Sequence, residues 1–112
     1  MEYKKSFFGR TVIDSSDSEE IKSDETIELE YYETRNLNER HGRKYGIEVL
    51  KRNHKTEKFN IESKVINNIS NEEKEINRLL EILMLNKVTP ISVDDIISDI
   101  SVLGWPKLIF AK

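Results

Sequence analysis

The chain has 112 residues, 37% hydrophobic and 35% charged, with no cysteine and a formal net charge of -3. Such a length makes one domain with a modest core under a polar surface. Disulfide scaffolding and thiolate chemistry are excluded, and no apolar run is long enough to cross a bilayer as a helix.

The opening residues 2–13 hold Tyr3, Phe7, Phe8, Val12 and Ile13 among Lys4, Lys5 and Arg10. The apolar pair Phe7-Phe8 is too short for the hydrophobic region of a signal peptide, and with the missing cysteine this reads as a cytoplasmic protein. Asp14–Glu25 then carries six acidic residues against one lysine, with a single isoleucine. A segment so poor in apolar groups cannot offset the entropy lost on ordering. Residues 1–25 are therefore expected to form a flexible N-terminal arm and acidic linker, either a tethered motif or a piece that docks back. A single domain over residues 26–112 follows.

From Thr26 the apolar residues alternate: Ile27, Leu29 and Tyr31 against Glu28, Glu30 and Tyr32. That period marks a half-buried strand. Thr34–Lys44 is polar and contains Gly42, so it reads as a loop. Tyr45, Ile47 and Val49 make a second strand, Arg52–Lys58 a turn, and Phe59, Ile61 and Val65 a third strand interrupted by Ser63. The predicted outer face of this meander carries Glu28, Glu30, Glu48, Glu62 and Lys64.

Near Ser70 the period changes to 3.6. Ser70-Asn71-Glu72-Glu73 matches a capping box, and Ile76, Leu79, Leu80 and Leu83 form the stripe of a helix over 71–85. Thr89-Pro90 opens a second helix, with Thr89 or Ser92 as cap and Val93, Ile96, Ile97, Ile100 and Leu103 as its buried side. Gly104 and Pro106 end it, leaving the apolar tail Lys107–Lys112. The expected fold is α+β: a three-stranded antiparallel β-meander followed by two C-terminal helices packed on one face of the sheet.

Residue chemistry argues against catalysis. His41 and His54 sit among cations, a poor setting for a metal site, and read as surface histidines. The acidic pairs Glu72-Glu73 and Asp94-Asp95 fall in first helical turns, where the helix dipole accounts for them. There is no G-x-S-x-G elbow, and the four glycines at 9, 42, 46 and 104 form no phosphate loop. No cofactor is implied.

Charge is the sharper feature. Between Arg35 and Lys58 there are eight lysines and arginines against three glutamates. Arg35, Arg40, Arg43, Lys44, Lys51, Arg52, Lys55 and Lys58 would gather at the two ends of the second strand, and His41 lies between Arg40 and Arg43. Basic loops beside Tyr31, Tyr32 and Tyr45 suit a single-stranded nucleic acid, but glutamates on the same sheet face would repel phosphate. Trp105 and Phe110 offer apolar anchors for a protein partner or for self-association as a homodimer. The expectation is a small non-catalytic interaction or regulatory protein using these residues, with nucleic-acid binding through the block 35–58 as the alternative and no membrane involved.

The stretches Tyr45-Gly46-Ile47-Glu48-Val49, Ile66-Asn67-Asn68-Ile69-Ser70, Asn86-Lys87-Val88-Thr89-Pro90-Ile91 and Asp95-Ile96-Ile97-Ser98-Asp99 occur in that order. In this the chain resembles a family of small uncharacterised proteins from anaerobic low-GC Gram-positive bacteria. The likeness covers roughly residues 26–101. It implies no activity and transfers no functional residue. Ser92 stands where the family pattern has a histidine.

Overall fold

The computed structural model describes residues 3–13, 26–38, 42–54 and 59–103. In chain order they form β1 (Tyr3–Ile13), β2 (Thr26–Asn36), β3 (Tyr45–His54), β4 (Phe59–Ser70), α1 (Glu73–Leu85) and α2 (Pro90–Leu103). All neighbouring strands are antiparallel and lie in the order β1-β2-β3-β4. The α+β class, the antiparallel sheet and the two following helices stand as expected. The strand number does not: the sheet has four strands, not three. The added one is Tyr3–Ile13, which pairs with β2 from Tyr3 opposite Asn36 to Ile13 opposite Ile27. The expected acidic linker, 14–25, and the tail, 104–112, lie outside the described residues.

Both helices cover the same face. α1 crosses all four strands, and α2 packs on β3 and β4. The core lies between, built from Ile27, Leu29, Tyr31, Ile47 and Val49 of the sheet and Ile76, Leu79, Leu80 and Leu83 of α1, with Val88 and Val93 beyond. Burial of these side chains is the main favourable contribution, at about 1.5–3 kcal/mol each. It follows the alternation of β2 and β3 and the i, i+3, i+4, i+7 spacing of α1.

Two irregularities shape the sheet. In β1, Phe7 pairs with Tyr32 and Gly9 with Tyr31, so Phe8 is an extra residue. The bulge leaves Phe7 on the open face and lets Phe8 pack against the core. A Cβ at Gly9 would collide with the Met84 sulfur, so the bare backbone lets α1 come close. In β4, Ser70 pairs with Tyr45 and Ile66 with Ile47, leaving Asn67-Asn68-Ile69 opposite Gly46 alone. Asn68 takes a left-handed conformation (φ 57°), which asparagine tolerates better than most residues. The arch lies so close that a Cβ at Gly46 would strike the Ile66 carbonyl oxygen. It also buries Ile69.

β4 faces opposite to expectation. Ile61 is level with Arg52 and Val65 with Glu48, both residues of the open face, and Ile61 and Val65 are 52% and 45% exposed. Glu62 and Lys64 point to the helix side, where Lys64 bonds Asp94 of α2 at 3.1 Å. The apolar residues of an edge strand need not face the core when the arch already delivers Ile69 to it.

The helix ends follow local rules with one change. Glu72, not Ser70, is the N-cap of α1, and no side chain caps it. Ser70 instead accepts the Glu72 N–H at 3.0 Å and hydrogen-bonds the Glu75 carboxylate. At the other end Lys87 has φ 52°, its N–H donates to Met84 at 3.1 Å, and the Val88 N–H donates to Leu83 at 2.9 Å. This is a Schellman closure, with Val88 tucked over the last turn. Tyr31 seals that turn: its hydroxyl donates to the Val88 carbonyl at 2.8 Å within the core. Pro90 takes the first position of α2, after Thr89.

Candidate functional site

The face turned away from the helices is a surface of paired charges and apolar side chains. Lys5 meets Glu48 at 3.5 Å, Arg10 meets Glu28 at 3.0 Å, and Arg52 meets Glu30 at 3.1 Å. Arg10 and Arg52 each reach diagonally to a carboxylate of β2, since Arg10 is level with Glu30 and Arg52 with Glu28, while Lys5 of β1 reaches over β2 to Glu48 of β3. Tyr32 lies at the centre. Its hydroxyl donates to Glu30 at 3.1 Å, the Lys5 ammonium sits 4.4 Å from its ring centroid, and Phe7 meets it edge-on at 5.6 Å. Partial burial, then the bond to Glu30 and its charge, raise the Tyr32 pKa. Phe7, 59% exposed, stands at one side of this lattice and Ile61 and Val65 at the other.

Those sequence-predicted binding residues that the structure describes fall in two places. Arg40, His41, Lys55, Trp105 and Phe110 lie outside the described residues. Arg43 is exposed beside the start of β3, where Lys44 and Arg35 flank the buried Tyr45 ring at 5.5 and 5.7 Å. Lys51 and Arg52 are near the other end, about 24 Å from Lys44 at ~3.4 Å per residue. They also face opposite ways, Lys51 toward Glu62 at 3.9 Å and Arg52 toward Glu30. Tyr45 is itself buried, so it offers no open ring for stacking a base.

One chemically unusual group escaped the sequence reading. Glu33 continues the series Ile27, Leu29, Tyr31 onto the helix side, level with the buried Ile47. Burial, then a hydrogen bond to Glu73 and the charge of that carboxylate, push its pKa up to about 7, while Arg35 and Lys4 pull it down. Period two carried past Tyr31 would have found it. Neither of two surface grooves contains it: one is lined by Phe8, Lys74, Asn77, Arg78 and Glu81, the other by residues of β4 and α2. Among the described residues, no group of three histidine, cysteine or acidic side chains is placed to hold a metal ion, and no helix is long and apolar enough to cross a membrane.

Residues 10–102 match the model of a family of unknown function (DUF6514). The chain belongs to that family. The matched segment begins near the end of β1, takes in β2, β3, β4 and α1 whole, and ends one residue short of the end of α2. No curated protein and no solved structure matches the chain.

Proposed function

We propose that this is a small, non-catalytic interaction protein of regulatory type, acting in the cytoplasm of a low-GC Gram-positive anaerobe. Its binding surface is the open sheet face, and its partner is a protein presenting an apolar patch. The observation that carries this reading is the way the face is neutralised. Lys5, Arg10 and Arg52 each meet a glutamate of the same face, while Phe7, Ile61 and Val65 remain exposed between and beside them. Ion pairs already formed leave little net field to draw a polyanion, and exposed aromatic and β-branched side chains supply contact area.

The nucleic-acid alternative is left with the end of the β2–β3 hairpin, where Arg35, Arg43 and Lys44 stand together. A photo-cross-linking amino acid placed at Phe7 and, separately, at Arg43 separates the two. The face reading expects a discrete cross-linked protein from position 7 and none from position 43. Salt-steep retention on single-stranded DNA that disappears on Arg43→Ala/Lys44→Ala substitution, without cross-linking at position 7, would transfer the function to the hairpin end.

A further inference from the structure

An open sheet has two edges, and here they differ in kind. β1 carries Lys4, Lys5 and Arg10 with no acidic residue, and its ladder is broken by the Phe8 bulge. Two such strands side by side would repel, which is how natural sheets guard an edge. β4 has neither defence along its first half. Its residues Ile61-Glu62-Ser63-Lys64-Val65 pair with β3 without a register shift and include no proline or glycine.

Those five residues also read as their own complement: apolar, acid, serine, base, apolar. We propose that β4 pairs antiparallel with β4 of a second copy, about a two-fold axis through Ser63, to make one continuous eight-stranded sheet. In that register Glu62 lies opposite Lys64 of the second copy, and Lys64 opposite its Glu62. Ile61 lies opposite Val65 of the second copy, on the open face, and Ser63 opposite Ser63. An axis perpendicular to the sheet keeps the helices of both copies on one side. It also restricts the choice to registers in which paired residues share a face. Moving the axis by one residue either way sets Glu62 against Glu62 or Lys64 against Lys64, so charge selects the register centred on Ser63.

The side chains are placed for this pairing. Ile61 and Val65 are about half exposed, and the Glu62 and Lys64 side chains are 51% and 40% exposed. Lys64 already holds Asp94 of α2 and Glu62 already meets Lys51, so Glu62 of the second copy beside Lys64 would join the two pairs into a four-member ion cluster. Ile91, 77% exposed, lines a groove of about 350 Å³ with Glu62, Ser63, Lys64 and Asp94. It adds apolar area beside the seam. The two surfaces share only Ile61 and Val65, which would meet across the seam at the rim of the open face. Phe7 and the ion-pair lattice stay available, and the joined sheet would present two copies of them.

Sedimentation of the full chain tests the pairing. The expected species is twice the 13.2 kDa monomer mass. Glu62→Lys alone and Lys64→Glu alone each set like charges across the axis, and each should weaken the dimer at least tenfold. The double exchange, Glu62→Lys with Lys64→Glu, restores opposite charges and should recover it. A Ser63→Cys variant, in a chain with no cysteine of its own, should oxidise to a disulfide-linked dimer, whereas Thr11→Cys on β1 should not. A monomer at all concentrations, or a dimer indifferent to the single charge reversals, would overturn the proposal. Phe7→Ser should leave the dimer intact, so a failure of the open-face reading shows separately.

Discussion

The two faces of the sheet are made of similar side chains used in opposite ways. On the helix side, Leu29, Tyr31, Ile47 and Val49 are fully buried, and polar groups there need individual partners: Tyr31 has the Val88 carbonyl, and Glu33 has Glu73. On the open side, Phe7, Tyr32, Ile61 and Val65 sit in a lattice of ion pairs that water still reaches. The lesson is that hydrophobic content does not identify the core in this protein. What separates the faces is whether a second layer exists to exclude water, because only then does an apolar group gain its full transfer energy and an unpaired polar group incur its full cost.

Truncating one side chain on each face gives the widest contrast. Leu79→Ala removes a fully buried side chain and leaves a cavity, and should cost about 3–4 kcal/mol in urea unfolding. Phe7→Ala removes a larger group from the open face and should cost about 1 kcal/mol or less. Equal losses would mean that the open face is covered in solution.

The adjacent tyrosines repeat the comparison at the scale of one hydroxyl. Tyr31→Phe leaves the Val88 carbonyl unsatisfied inside the core and should cost about 2 kcal/mol. Tyr32→Phe loses a bond to Glu30 on the wet side and should cost roughly 0.5 kcal/mol. Burial raises the pKa of both phenols, and that of Tyr31 the more strongly.

Glu33 supplies the smallest and most specific effect. Its folded pKa is about 7, above the ordinary 4.5, so between those values the folded chain holds a proton that the unfolded chain has released. Its contribution to stability is therefore present in full below about pH 4.5 and is lost as pH rises toward 7. Discounted for partial exposure, the change is on the order of 1 kcal/mol. Glu33→Gln should remove that slope, seen as unfolding midpoints that no longer fall between pH 5 and 7 relative to the parent chain. An unchanged slope would place the proton elsewhere.

The candidate site was less legible in the sequence than the fold. Charge counting singled out Arg52 and Lys51 together, yet adjacent strand residues point to opposite faces, and each has its own carboxylate. The pairing of Lys5 and Arg10 is not legible locally, because their partners, Glu48 and Glu28, are 43 and 18 residues away. Glu72-Glu73 was assigned to helix capping. Ser70 turns to Glu75 instead, and Glu73 meets Glu33 across the layers.

By itself the sequence determined what depends on near neighbours. Apolar spacing and turn residues located β2, β3 and both helices, and they set the change from period two to period 3.6 close to Ser70. These are local matters, governed by backbone geometry and by which side chains fall on one stripe. Tertiary structure decided the remainder: that Tyr3–Ile13 becomes a fourth strand, that β4 turns Ile61 and Val65 outward, and that Glu33 shares a hydrogen bond with Glu73. Pairing register and bulges settle such questions. One extra residue exchanges the two faces of a strand, and nothing within that strand's own sequence says what lies beside it.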